Sequence, residues 1–212
     1  IKLPPFLANK MAIINVQNKT DEMCFKWAIL SALFPSRNNA DTVSSYYSHM
    51  NKVDWSGLTF PVTLAQIRRF ERKNVDVTVN VYIHKPPVVI DPDDVEAIAA
   101  RDADIAAGAL LPENDIVPVY ITKHDKRAKH VDLLLLREGD NSHYVWIKSM
   151  SRLVAHRSKH RNTSYNCPHC LHSYSSAAAF DNHFPQCSKH ERQSINFPNE
   201  ENNELFWRAR SK

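Results

Sequence analysis

Cys167, Cys170, His183 and Cys187 fall in the pattern Cys-x2-Cys-x12-His-x3-Cys. A close pair on a turn and a second pair on a helix can meet at one point, and thiolate and imidazole are donors that a tetrahedral Zn²⁺ accepts. A structural zinc site is expected there. The fourth cysteine, Cys24, stands alone in NKTDEMCFKWAILSAL. A nucleophilic cysteine needs a base to ionise it and donors for the oxyanion. A helix start helps, because its free N–H groups favour the thiolate. Cys24 lies at such a start, three residues after Asp21. The base should be distant in sequence, and His143 fits best: it opens SHYVWIKS just after the tight turn EGDN. Asn141 or Asp140, just upstream, would orient its ring as the third member of a triad does. A free cysteine amid Phe25, Trp27 and Ile29 also reads as a core residue, and His143 as the cap of a hairpin. Spacing alone leaves both readings open.

The elements that must position these groups follow from periodicity. Phe25, Ala28, Ile29, Ala32 and Leu33 recur at helical spacing, with Asp21 at the entrance and Pro35 after the end. Further helices are expected over DTVSSYYSHM from Asp41, over TLAQIRRFERKN and over DDVEAIAARDADIAAGAL. Val75 to Ile83 alternate as in a half-buried strand, and DIVPVYIT, HVDLLLL and SHYVWIKS read as three more. Helices first and antiparallel strands later predict an α+β domain over 1–153. A basic linker (154–164), the metal-binding segment (165–187) and a polar tail (188–212) should follow. The acids Asp91, Asp93 and Asp94 read as helix capping rather than a metal site. His169, His172 and His190 read as solvated.

Composition narrows the function classes. The chain has 212 residues, 43% of them hydrophobic, enough for one substantial core and an appendage. Three glycines and no Gly-rich phosphate motif argue against a nucleotide cradle. The net charge of +4 permits an anionic partner without requiring one. No apolar run approaches the roughly 20 residues of a membrane helix, so no membrane partner is expected. The chain starts at Ile without a visible secretory signal, and is expected to be a piece of something larger. With three cysteines in a metal site no internal disulfide can form, which points to an intracellular setting, cytoplasm or nucleus.

Residues 165–187 resemble a ββα zinc finger, with Tyr165, Tyr174 and Phe180 at its small-core positions. The resemblance places Ser176, Ala178, Ala179 and Asn182 at its base-reading positions, and alanines offer no groups to base edges. A bracing role is implied, or a contact with protein or non-specifically with nucleic-acid phosphates, aided by the basic linker (Arg157, Lys159, His160, Arg161). DEMCFKWAILSAL resembles the nucleophile segment of papain-like deubiquitinases. Ovarian-tumour-type enzymes have an Asp three before the Cys, then aromatic, small and aliphatic residues. Asp21, Phe25, Trp27, Ala28 and Ile29 stand here, with Glu22 where that family has glycine and Trp27 displaced by one position. Their histidine is followed by an aromatic, as His143 is by Tyr144. The herpesviral tegument-type deubiquitinases place an acid two before the histidine, where Asn141 stands. Gln17, or Asn18, stands where papain-like enzymes hold an oxyanion donor. The resemblance implies a papain-like cysteine peptidase acting on ubiquitin or a ubiquitin-like protein. The whole order of motifs is also similar to proteins of Maverick/Polinton-type transposons, where it precedes a DNA polymerase. That resemblance implies the alternative, a non-catalytic module binding nucleic acid or protein beside the polymerase.

Overall fold

A helix that is apolar on every side must be buried on every side, and this is the position of α2 (Cys24–Leu33). In the computed structural model of the chain, which describes residues 1–85, 95–106, 115–124, 128–139, 141–155, 164–170 and 172–190, residues Cys24 to Ser31 are all buried. Even Lys26 is enclosed, its ammonium 5.4 Å from the centre of the Trp55 ring. The elements before α2 are a short helix α1 (Pro5–Ala8) and a two-residue strand β1 (Ile13–Ile14). After it come a 3₁₀ helix (Val43–Lys52) and α3 (Leu64–Lys73). The 3₁₀ helix replaces the α-helix expected from Asp41: Ser, Tyr, His and Asn are weak helix formers, and only Tyr46 of the segment is buried. Helix α3 opens with a reciprocal capping box between Thr63 and Gln66.

Next come β2 (Val77–Lys85), α4 (Val95–Ala106), β3 (Asp115–Tyr120), β4 (Lys129–Glu138), β5 (Asn141–Ile147) and α5 (Met150–Leu153). Five strands form one sheet in the order β1-β5-β4-β2-β3. The sheet is mixed, not antiparallel as expected: β2 and β4 run parallel, from Val77 opposite Lys129 to Ile83 opposite Leu135. The reason lies in the four-leucine run of β4. Leu133 and Leu135 face one core and Leu134 and Leu136 the other, and a strand covered on both faces reads as continuously apolar. Strand β2 is likewise buried on both faces rather than half-buried. Val77, Val79 and Val81 join the first core, while Thr78, Asn80 and Tyr82 point to the other side at 0–1% exposure. Asn80 is satisfied there, accepting from the Thr122 N–H at 3.0 Å.

The first core packs α2 and α3 on the sheet, and the second collects Leu7, Tyr82, Val145, Leu153 and Val154 beneath α1 and α5. Val154, next to Leu153, is 2% exposed and belongs to the second core. The small unit is built from β6 (Tyr165–Asn166), β7 (Ser173–Tyr174) and α6 (Ala177–Cys187). The Asp91–Asp93–Asp94 group, Asp140, and most of the linker and tail lie outside the described residues.

Candidate active site and metal centre

Adjacent residues bring Cys24 and His143 together. Phe25 follows Cys24, Tyr144 follows His143, and these two rings meet edge-to-face at 5.3 Å and 80°. Phe25 is also edge-on to Phe70 of α3, at 5.4 Å. Each such contact is worth about 1 kcal/mol beyond its burial. The pair fixes the start of α2 against β5, and Cys24 and His143 line one cavity of about 570 Å³. The thiol and imidazole are not hydrogen-bonded to each other, an arrangement common in active sites without substrate.

The imidazole is held from behind, and not by the residue expected. His143 Nε2 lies 2.8 Å from Asn15 Oδ1, in a buried contact across 128 residues of sequence. Asn15 Nδ2 donates to the carbonyl of Ile1 at 3.0 Å, which fixes which amide atom faces the ring. Since Oδ1 only accepts, Nε2 carries the ring proton and Nδ1 keeps its lone pair. Asn141 lines the cavity but makes no hydrogen bond to the ring. Asn15 carries one sequence signal: it is polar within the apolar run MAIINV. Burial, with the amino group of Ile1 adding to it, lowers the His143 pKa to about 4.

Burial also raises the Cys24 pKa above the ordinary thiol value. The backbone N–H groups of Tyr144, Phe25 and Cys24 itself oppose it, being directed at the sulfur. Resting thiol and imidazole are therefore both neutral near pH 7, within a frame of donors that favours negative charge on sulfur. Asp21 secures that frame. Its Oδ1 accepts from the Met23 N–H at 2.8 Å and from Asn18 Nδ2 at 2.8 Å, and its carboxylate takes the Trp27 indole N–H. Burial works to raise its pKa, but these bonds and nearby Lys26 outweigh it and hold the carboxyl below its ordinary value. The N-cap residue is Met23, so Asp21 ties down the residue before the helix rather than capping it directly. Gln17, expected near the thiol, lines a neighbouring cavity and donates to the Asn15 carbonyl at 3.3 Å. Asn18 lines the Cys24 cavity.

At the other end, the ligand atoms of Cys167, Cys170, His183 and Cys187 lie within 4.8 Å of one another. Cys167 and Cys187 sulfurs are 3.8 Å apart, and Cys170 Sγ is 3.4 Å from His183 Nε2. Two sulfurs each about 2.3 Å from a shared tetrahedral Zn²⁺ would sit about 3.8 Å apart, so the donor set fits zinc. Burial, then Cys167 and Cys170 beside it, push the Cys187 thiol up to about 12; a bound cation removes that penalty by making all three sulfurs anionic ligands. Ser176 caps α6 by accepting from Ala179 N, and the Tyr174 ring packs 4.8 Å from His183. His169 is not solvated but 6% exposed, edge-on to Phe184 at 5.5 Å. Tyr165 is 42% exposed rather than part of a small core.

No described helix is long and apolar enough to cross a membrane. No protein-family model, curated protein or solved structure matches the chain.

Proposed function

We propose that the chain is a cysteine peptidase with a papain-like core, acting on the bond that joins ubiquitin, or a ubiquitin-like protein, to its target. The observation that carries the peptidase part is the buried Asn15–His143 bond at 2.8 Å, which leaves Nδ1 as the basic nitrogen in an imidazole that shares a cavity with Cys24. The substrate class rests on the resemblance around Cys24 and His143.

Cys24 Sγ attacks the carbonyl carbon as His143 Nδ1 takes its proton, and the carbonyl electrons move to oxygen. First-turn N–H groups of α2 stabilise that oxyanion. The C–N bond then breaks, the leaving amine takes the proton from His143, and a thioester remains on Cys24. Water, deprotonated by the same nitrogen, hydrolyses it and restores the thiol. Asn15 keeps the ring in the required tautomer. The Cys₃His unit holds Zn²⁺ in a bracing role, and the protein works inside the cell, where free thiols persist.

The test is incubation with ubiquitin bearing a C-terminal electrophile, read by intact mass. Wild type should gain the mass of one ubiquitin. Cys24→Ala should gain none, and His143→Ala and Asn15→Ala should react more slowly. Folded, zinc-loaded protein that forms no adduct with ubiquitin or its relatives would refute the substrate class. Adducts that persist in Cys24→Ala would refute the site.

A further inference from the structure

Residues Ile1–Leu3 run beside two cavities. Ile1 lines the cavity of Cys24 and His143, and Lys2 and Leu3 line the neighbouring one. Asn15 serves both: it lines the second cavity and holds the imidazole of the first. The side chains of Ile1 and Leu3 are half-buried against the second core, and Lys2 between them is exposed. Among the described residues, the bond from Asn15 Nδ2 to the Ile1 carbonyl is the single hydrogen bond that ties these three residues down. A segment held by one such bond and two apolar side chains opens far more easily than the domain unfolds. Its far end stays in place, because α1 follows directly and Leu7 of that helix is fully buried.

That bond also decides where a proton sits. Asn15 is 8% exposed and satisfied on both sides, Oδ1 by the His143 Nε2–H and Nδ2 by the Ile1 carbonyl. A half-turn of the amide exchanges acceptor and donor in nearly the same shape. Nδ2 would then face the ring, Nε2 would have to accept, and the proton would sit on Nδ1, the nitrogen that must act as base towards the thiol. The Ile1 carbonyl opposes this half-turn, since Oδ1 turned towards it would set acceptor against acceptor. We propose that Ile1–Leu3 is a strap that selects the His143 tautomer through Asn15, so that seating the strap arms the cysteine site and lifting it disarms the site. Ile1 is in this view a positioning residue, acting on the imidazole through the amide of Asn15. The inference rests on the peptidase reading for its consequence in catalysis, but not for the state of the ring.

The ring nitrogens report their state directly by NMR. In the full chain with isotope-labelled histidine, at a pH above the ordinary imidazole range, Nε2 of His143 should show the shift of a protonated nitrogen and Nδ1 that of an unprotonated one. Deleting Ile1–Leu3 should draw the two shifts together, because a bias of about fivefold or more in population, that of one hydrogen bond, disappears. Reaction with the ubiquitin electrophile should slow by about two- to fourfold in step with that loss. Asn15→Asp separates positioning from mere support. A carboxylate only accepts, so in the deleted chain it should restore the Nε2–H tautomer and most of the rate. Should the deletion unfold the chain, Ile1→Gly with Leu3→Gly removes the two apolar anchors instead, and should move the shifts in the same direction. A folded variant with the strap deleted or loosened that keeps the shifts of the intact chain would overturn the inference, as would a slowed reaction that Asn15→Asp leaves unrestored. Shifts that respond to the strap while no variant forms an adduct remove the peptidase reading alone. A Cys24-dependent adduct whose rate and ring state ignore the strap removes this inference alone.

Discussion

One ring nitrogen of His143 is committed to Asn15, a residue remote in sequence. Asn141, expected there from its nearness in sequence, makes no hydrogen bond to the ring. Asn15→Ala should lower kcat on a fluorogenic ubiquitin conjugate by about tenfold or more while moving KM little, as loss of an orienting group does. Asn141→Ala should change kcat less than threefold, which a parallel kinetic series would check. The two pKa shifts add a pH signature. A thiol raised by burial and an imidazole lowered to about 4 do not form a resting ion pair. Alkylation of Cys24 by iodoacetamide should thus climb with pH beyond the ordinary thiol range rather than level off between pH 5 and 8. His143 has a sign of its own in stability. Its folded pKa lies below the unfolded value of 6.5, so the unfolded chain binds the extra proton, and stability falls as pH drops from 6.5 towards 4. His143→Gln should flatten that slope in the Tm measured across this window. The residue types that the proposed catalysis needs stand out in the sequence because Cys24 and His143 are chemically conspicuous. Asn15 does not, because its role depends on a pairing between β1 and β5 across more than a hundred residues.

Helix α2 and strand β5 are the elements on which the site depends, and local pattern revealed both. The apolar spacing of α2, the run of β5 and the capping box of α3 are written in neighbouring residues. Strand order is not, because pairing is settled by which faces are buried. Leu133 to Leu136 look the same in an antiparallel edge and in a parallel centre until both cores are known. Asp21 joins the two levels. It lies outside α2, yet it holds Met23 and Trp27, so it sets where the helix starts and where Cys24 points. Asp21→Ala should cost about 1–2 kcal/mol in urea unfolding, in the range of a lost helix cap, and should slow Cys24 labelling. Asp21→Asn, which keeps an acceptor for the Met23 N–H, should recover part of both. If Asp21→Ala left the labelling rate unchanged while lowering stability, the frame around the sulfur would be set by Phe25 and Tyr144 alone. Its depressed pKa gives a second check: the Asp21 contribution is present above the unfolded carboxylate range and is lost as pH falls through the lower folded value.

Across the whole molecule, the metal centre and the cysteine site lie at opposite ends of one argument about how much a small appendage can do for a core. The ligand pattern of the Cys₃His unit was legible because short spacing and donor chemistry alone define it. Its attachment was not, because no short pattern records what β6 packs against. Cys167 is fully buried, and β6 beside it packs against α5. Leu153 of α5 belongs to the second core, with Tyr82, Leu134 and Val145. Emptying the metal site should therefore loosen the core's second face as well as melt the unit itself. Trp27, Trp55 and Trp146 lie in the core domain, packed in or against the first core, so with the fourth tryptophan, Trp207 of the tail, replaced by Phe they report on that domain and not on the metal unit. Chelation of zinc-loaded protein should release one equivalent of zinc and lower the tryptophan-detected Tm by about 3–8 °C, as a loss of one to two kcal/mol would in a chain of this size. Cys167→Ser should bind no zinc and show the lower Tm without chelator. A tryptophan transition that stays in place after complete zinc release would mean that the unit is tethered to the core without supporting it, and its role would then have to be sought in what it contacts outside the chain.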